Sequence, residues 1–224
     1  GCSLADSCTP KVFEYFKSKH PGAFVMTYVN SSLEVKAMSD VICTSSNAVK
    51  IAKGLPKDQK IIFGPDQHLG RYVAKQSGRD LVLFPGNCIV HTSFSAEEMF
   101  NIKEKYPDAP IIAHPECEDI ILTHSDYIGS TSQLLKFTQE NPATRFIVMT
   151  EAGIQHQMAK MSPDKEFIMG PDISGCSCNE CPHMKLNTMQ KVYDCLQGET
   201  PEVHVDLEVA KKALVPINRM MEMS

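Results

Sequence analysis

Short apolar runs that end in polar or small residues alternate with amphipathic stretches along most of this chain. Residues 24–29, 41–43, 60–63 and 80–84 are near-continuous apolar runs, the pattern of strands buried on both faces. Helix-like stretches lie between and after them, over 32–37, 47–53, 67–76 and 95–105. The last opens on Ser95-x-x-Glu98, a capping-box start. Strands alternating with helices predict an α/β fold with parallel sheets covered by helices on both faces.

The pattern then recurs. H-P-G-A at 20–23 precedes F-V-M-T-Y-V-N, and Y-P-D-A at 106–109 precedes P-I-I-A-H-P-E. With the two stretches aligned 86 residues apart, Tyr28 meets His114, Asn30 meets Glu116 and Lys50 meets Lys136. Ser39 and Asp40 meet Ser125 and Asp126, and T-S-S at 44–46 meets S-T-S at 130–132. Cys2 and Cys88 obey the same spacing, and Cys181 follows Cys88 by 93 residues, the surplus fitting an insertion at 175–180. A helix over 188–196 and then E-V-H-V-D at 202–206 stand where the earlier copies carry Y-V-N and H-P-E strands. The chain therefore divides into repeated α/β units at 1–87 and 88–180 and a partial third at 181–224. Each presents one cysteine to a common centre. Gly1 is not an initiating Met, and half a unit at the C-terminal end predicts that its other half lies upstream.

Composition narrows the function. The 224 residues are 42% hydrophobic and 22% charged, ordinary for a globular protein. A net charge of −5, with no basic run beyond Lys211-Lys212, argues against nucleic acid or an anionic membrane as partner. No apolar run approaches the ~20 residues of a membrane span, and no leader pattern opens the chain. Nine cysteines, an odd number, point to metal or redox thiols in a reducing cytoplasm rather than a disulfide framework.

Three thiolates from three units can hold zinc, copper(I) or an iron–sulfur cluster. Three protein ligands leave a coordination position open, as chemistry requires and a structural site does not. Cys88 sits in F-P-G-N-C-I-V-H, where the strand over 80–84 stops at Pro85-Gly86. The denser Cys176-x-Cys178-x-x-Cys181 offers a rival zinc or redox reading, with His183 beside it. Tyr28 with Asn30, and His114 with Glu116, fall at strand ends and point to one side, where α/β proteins bind ligands. His114 and Glu116 are proton-transfer candidates. The hydroxyls at 44–46 and 130–132 stand before helices, as anion-binding groups or as plain N-caps. Asp66 to Arg71 reads as a helix start or a solvated loop.

These stretches resemble the quinolinate synthase family of bacterial NAD biosynthesis. G-C-S-L, Y-V-N, C-T-S-S, P-D-Q-H-L-G-R-Y, G-N-C-I-V-H, A-H-P-E, G-S-T-S-Q, C-N-E-C-P-H-M, V-H-V-D and A-L-V-P-I-N-R-M carry the resemblance across the chain. It implies three-layer α/β/α domains around a pseudo-threefold axis, with a [4Fe-4S] cluster held by Cys2, Cys88 and Cys181 and its fourth iron open to substrate. Tyr28, Asn30, Ser45, His114, Glu116 and Thr131 match substrate-contacting positions, with Tyr28, His114 and Glu116 catalytic and His91 lining the same cavity. The reaction implied is condensation of iminoaspartate with dihydroxyacetone phosphate to quinolinate, with L-aspartate oxidase as the upstream enzyme. The family's N-terminal segment, which contributes a His, a Tyr and a Ser, would lie upstream of Gly1. C-x-C-x-x-C departs from the C-x-x-C-x-x-C of some relatives, so no accessory disulfide carries over. The rival is a zinc- or redox-regulated α/β binding protein using the 176–181 cluster.

Overall fold

The four apolar runs at 24–29, 41–43, 60–63 and 80–84 all form strands, and each is followed by a helix. The computed structural model describes residues 2–171 and 179–224, so Cys176 and Cys178 lie outside the described residues. The first part of the chain is α1 (Ser3–Ser7), α2 (Pro10–Ser18), β1 (Phe24–Tyr28), α3 (Leu33–Ala37), β2 (Val41–Cys43), α4 (Ala48–Gly54), β3 (Ile61–Gly64), α5 (Gln67–Ser77) and β4 (Leu81–Leu83). The second is α6 (Ala96–Lys105), β5 (Ile111–Ala113), α7 (Asp119–Thr123), β6 (Tyr127–Ile128), α8 (Thr131–Glu140), β7 (Arg145–Met149), α9 (Ile154–Met161) and β8 (Glu166–Met169). Helices α10 (Met189–Gly198) and α11 (Leu207–Met223) close it.

The strands make two separate parallel sheets with the same order, β2-β1-β3-β4 and β6-β5-β7-β8. The register carries the repeat into hydrogen bonding. Met26 pairs with Val41 and Ile112 with Tyr127, each pair 86 residues from its counterpart. The third strands slip by one: Val25 pairs with Ile62 but Ile111 with Ile147, so β7 stands 85 residues after β3. The fourth strands regain the spacing, with Val82 opposite Ile62 and Ile168 opposite Ile147.

Alternation along each strand fills both faces. Met26, Ile61 and Phe63 pack with Ile51 of α4 and Leu69 of α5, while Val25 and Ile62 face Phe13 of α2 and Val35 of α3. In the second sheet Ile112 and Val148 meet Leu134 of α8 and Met158 of α9, and Ile111 and Ile147 meet Met99 of α6 and Ile121 of α7. Each fully buried side chain of this size contributes about 1.5–3 kcal/mol through burial. Tyr72 of α5 packs against a core of each sheet and joins the two.

The matched polar positions have structural causes. Asp40 Oδ2 accepts the Val25 N–H at 2.7 Å, and Asp126 Oδ2 accepts the Ile111 N–H at 2.8 Å. Each aspartate pins an edge strand to the start of a central one. Ser130 forms a full capping box with Gln133, and Ser95 accepts the Glu98 N–H at 3.2 Å. The Ser130 hydroxyl is thus a helix cap.

Two sequence expectations need correcting. Helix α2, with Pro10 in its first turn and Phe13 buried, falls outside the helices expected from the pattern. Residues 202–206, expected as a strand, form none, because a strand needs a neighbour to pair with and none stands beside them among the described residues. Asp206 instead caps α11, which packs against α3 and β2. Arg219 of α11 donates to the Asp40 carbonyl at 2.7 Å.

Candidate active site

Parallel strands aim their carboxyl ends one way, and side chains just beyond those ends share a space. Tyr28 closes β1, His114 and Glu116 follow β5, and Thr150 and Glu151 follow β7. They border a cavity of about 540 Å³. Cys2, Asn30, Cys88, His91, Thr131 and Cys181 also line it. Ser45 stands one contact back, its Oγ 3.3 Å from His114 Nε2.

Cys2, Cys88 and Cys181 are free and half-buried at the wall, whereas Cys8, Cys43 and Cys117 are free and fully buried in the cores. Burial pushes the Cys8 thiol up to about 12, the state of an ordinary core thiol. Asn179, two residues before Cys181, is fixed to the loop that carries Cys88: it donates to the Val90 carbonyl at 3.0 Å and accepts from Ser93 at 3.2 Å. Cys88 is reached through a glycine that the backbone requires. A Cβ on Gly86 would sit 2.5 Å from the Pro65 carbonyl oxygen.

The buried polar residues form one network. His91 Nδ1 lies 3.0 Å from Glu116 Oε2 and 3.2 Å from Cys88 Sγ, and its Nε2 is 3.0 Å from Thr150 Oγ1. Burial opposes a charge on His91, but Cys88 and Glu116 outweigh it and push the imidazole up to about 10. Burial likewise opposes the Glu116 carboxylate, yet His91, His114 and Tyr28 together hold it well below the usual carboxylate range. An imidazolium–carboxylate pair results. His114 is the opposite case: burial pushes it down to about 4, and the charge on His91 adds to the drop. The two rings stack with centroids 4.7 Å apart. Because His114 Nδ1 accepts the Glu116 N–H at 3.4 Å, its proton belongs on Nε2, facing Ser45. Burial and then Glu116 push the Tyr28 phenol well up, so it keeps its proton. Glu116 Oε1 is buried with no hydrogen-bond partner among the described residues. A buried acceptor of this kind suits a donor from a bound molecule.

Donor atoms of Cys88, His91 and Glu116 all lie within 4.8 Å of one another, a set able to hold a metal ion. The three cavity thiols are a second, softer set, and soft thiolates suit zinc, copper(I) or iron–sulfur. Sequence reasoning missed Thr150, Glu151, Gln157 and Met184 in the wall. The rule about strand ends would have found the first two, since they follow β7 as His114 follows β5.

Fold and cavity together define an α/β enzyme acting on small molecules at the carboxyl ends of parallel strands. The family model described as quinolinate synthetase A protein (NadA) matches residues 1–222. Quinolinate synthases from Microcystis aeruginosa and from Synechocystis sp. are each 54% identical over all 224 residues, which span 70% of either relative. That of Nostoc sp. (strain PCC 7120) is also 54% identical, with 69% of its length covered. The chain belongs to the quinolinate synthase family, whose enzymes serve NAD biosynthesis.

Proposed function

We propose that the protein condenses iminoaspartate with dihydroxyacetone phosphate to quinolinate, releasing phosphate and water. Cys2, Cys88 and Cys181 would hold a [4Fe-4S] cluster. The observation that carries this reading is the lining of one cavity by these three cysteines together with Tyr28, Asn30, His91, His114, Glu116 and Thr131. When bound, the cluster supplies a Lewis-acidic iron with a position open to substrate oxygen. L-aspartate oxidase, working upstream, would supply the unstable imine.

The chain's own residues divide the remaining work. Thr131, at the first position of α8, and Asn30 offer polar contacts for the substrate's carboxylate and phosphate oxygens. His91, positively charged beside Glu116, adds attraction for an anion and orients the carboxylate. Glu116 Oε1 has no hydrogen-bond partner among the described residues, and there it takes a proton from the substrate. Burial raises Glu116 and His91 lowers it, so a substrate anion that draws His91 away turns the carboxylate into a stronger base. Tyr28, still protonated, donates in the return step. Neutral His114 holds Ser45 through Nε2 and shapes the wall between them.

Glu116→Gln tests the assignment. The variant keeps iron and sulfide contents equal to the parent's while quinolinate formation falls at least a hundredfold, the scale of a lost general base. Unimpaired turnover removes Glu116 from the chemistry.

We further propose that residues 1–87 and 88–180 are two of three related units around a pseudo-threefold axis, and that 181–224 belong to the third. The many exposed large apolar side chains between residues 186 and 207, among them Leu186, Met189, Leu196, Val203 and Leu207, support this.

A further inference from the structure

We infer that Asp66 and Glu151 are positioning residues for the cavity thiols: each carboxylate holds the backbone N–H of the next cysteine that lines the site. Asp66 Oδ2 accepts the Cys88 N–H at 3.1 Å, and Glu151 Oε1 accepts the Cys181 N–H at 3.1 Å. In both, the other oxygen turns to the helix start that follows. Asp66 Oδ1 accepts from Leu69 at 2.7 Å, and Glu151 Oε2 accepts from Gly153 at 2.7 Å. The two acids stand 85 residues apart, the same displacement that separates Ile62 from Ile147 in the sheets. They are the same place in two copies of one unit, filled once by Asp and once by Glu.

Helix capping alone does not explain them. A cap needs one oxygen, and Ser or Asn serve as well at lower desolvation cost. Asp66 has no exposed surface, and a carboxylate is buried that deeply only when its oxygens are used. Its second oxygen is used on Cys88. The surrounding contacts tighten the same link: the Gln67 N–H donates to the Gly86 carbonyl at 2.8 Å, and Gly86 has no room for a Cβ against Pro65. Three thiols from distant parts of the chain converge only if each Cα is fixed, and outer-sphere contacts of this kind typically govern metal affinity by about 10–100-fold. The inference rests on the cluster assignment above.

The experiment uses Asp66→Asn and Glu151→Gln in the complete gene product. An amide keeps one acceptor oxygen for the helix start but sets an NH₂ donor against the cysteine N–H. Amide hydrogen exchange is followed in metal-free protein, and iron loss to a chelator in protein reconstituted with iron and sulfide. In Asp66→Asn the Cys88 amide exchanges about tenfold faster, the effect of one lost hydrogen bond, while the Cys181, Ile62 and Ile147 amides keep parent rates. Glu151→Gln gives the mirror result at Cys181. Both variants lose iron about tenfold faster than the parent or more. Parent-like exchange and retention overturn the positioning role, as does a uniform acceleration that reaches Ile62 and Ile147 alike. A parent protein that takes up no iron and sulfide overturns the cluster assignment itself. One that does, beside indifferent variants, overturns only the role of the two carboxylates.

Discussion

His91 and His114 are stacked in one buried site, yet their neighbours set them to opposite charge states. His91 has a carboxylate and a thiol on one nitrogen, while His114 has a backbone N–H and a serine hydroxyl. The lowered value of His114 has a consequence for stability. Between about pH 4 and the usual histidine value of 6.5 the unfolded chain binds a proton there that the native chain does not. Acidifying through that window therefore favours unfolding through this residue. His114→Gln removes the term, so the melting-temperature gap between parent and variant shrinks as pH falls from 6.5 to 4. A gap that stays constant across that window means that His114 is not held neutral. At this scale the strand-end pairs Tyr28 with Asn30 and His114 with Glu116 were legible, because alternation and the strand-end rule name them without coordinates. The Thr150 contact to His91 was not, since it joins residues far apart in the chain through packing alone.

The same strand order and register in both sheets show how much a repeated element preserves besides apolar pattern. Asp40 and Asp126 match in the repeat for a structural reason, since each bonds the N–H at the start of a central strand. Asp126→Ala leaves the Ile111 N–H without its acceptor and costs about 1 kcal/mol or slightly more in chemical denaturation, with Asp126→Asn recovering most of it. An alanine variant as stable as the parent shows that water replaces the carboxylate at no cost. Apolar runs marked the four strands of the first sheet and, through the repeat, β5 of the second, because these strands pack on both faces; β6, β7 and β8 were not singled out. Helix α2 was less legible, since only Phe13 of it is buried. The 202–206 stretch misled for the reverse reason: its apolar–polar alternation reads as a strand, but pairing is decided by neighbours that alternation does not contain.

Over the whole molecule, two sheets joined at Tyr72 bring three stretches of chain to one cavity, and a thiol comes from each. Among the described residues no helix is long and apolar enough to cross a membrane. The repeat was the decisive clue in the sequence, because it made Cys2, Cys88 and Cys181 a set that no local spacing suggests. The close C-x-C-x-x-C pattern pointed elsewhere; its last member stands at the cavity wall, while Cys176 and Cys178 lie outside the described residues. What the repeat did not reveal is how the cysteines are held, since an Asp and a Glu in slipped register do not align by identity. The most direct measurement is anaerobic reconstitution of the complete gene product with iron and sulfide, followed by analysis of both elements in the parent and in Cys88→Ser. About four irons and four sulfides per parent chain, lost in the variant, are the result predicted for a [4Fe-4S] centre. Zinc bound by the parent and retained by Cys88→Ser would contradict it.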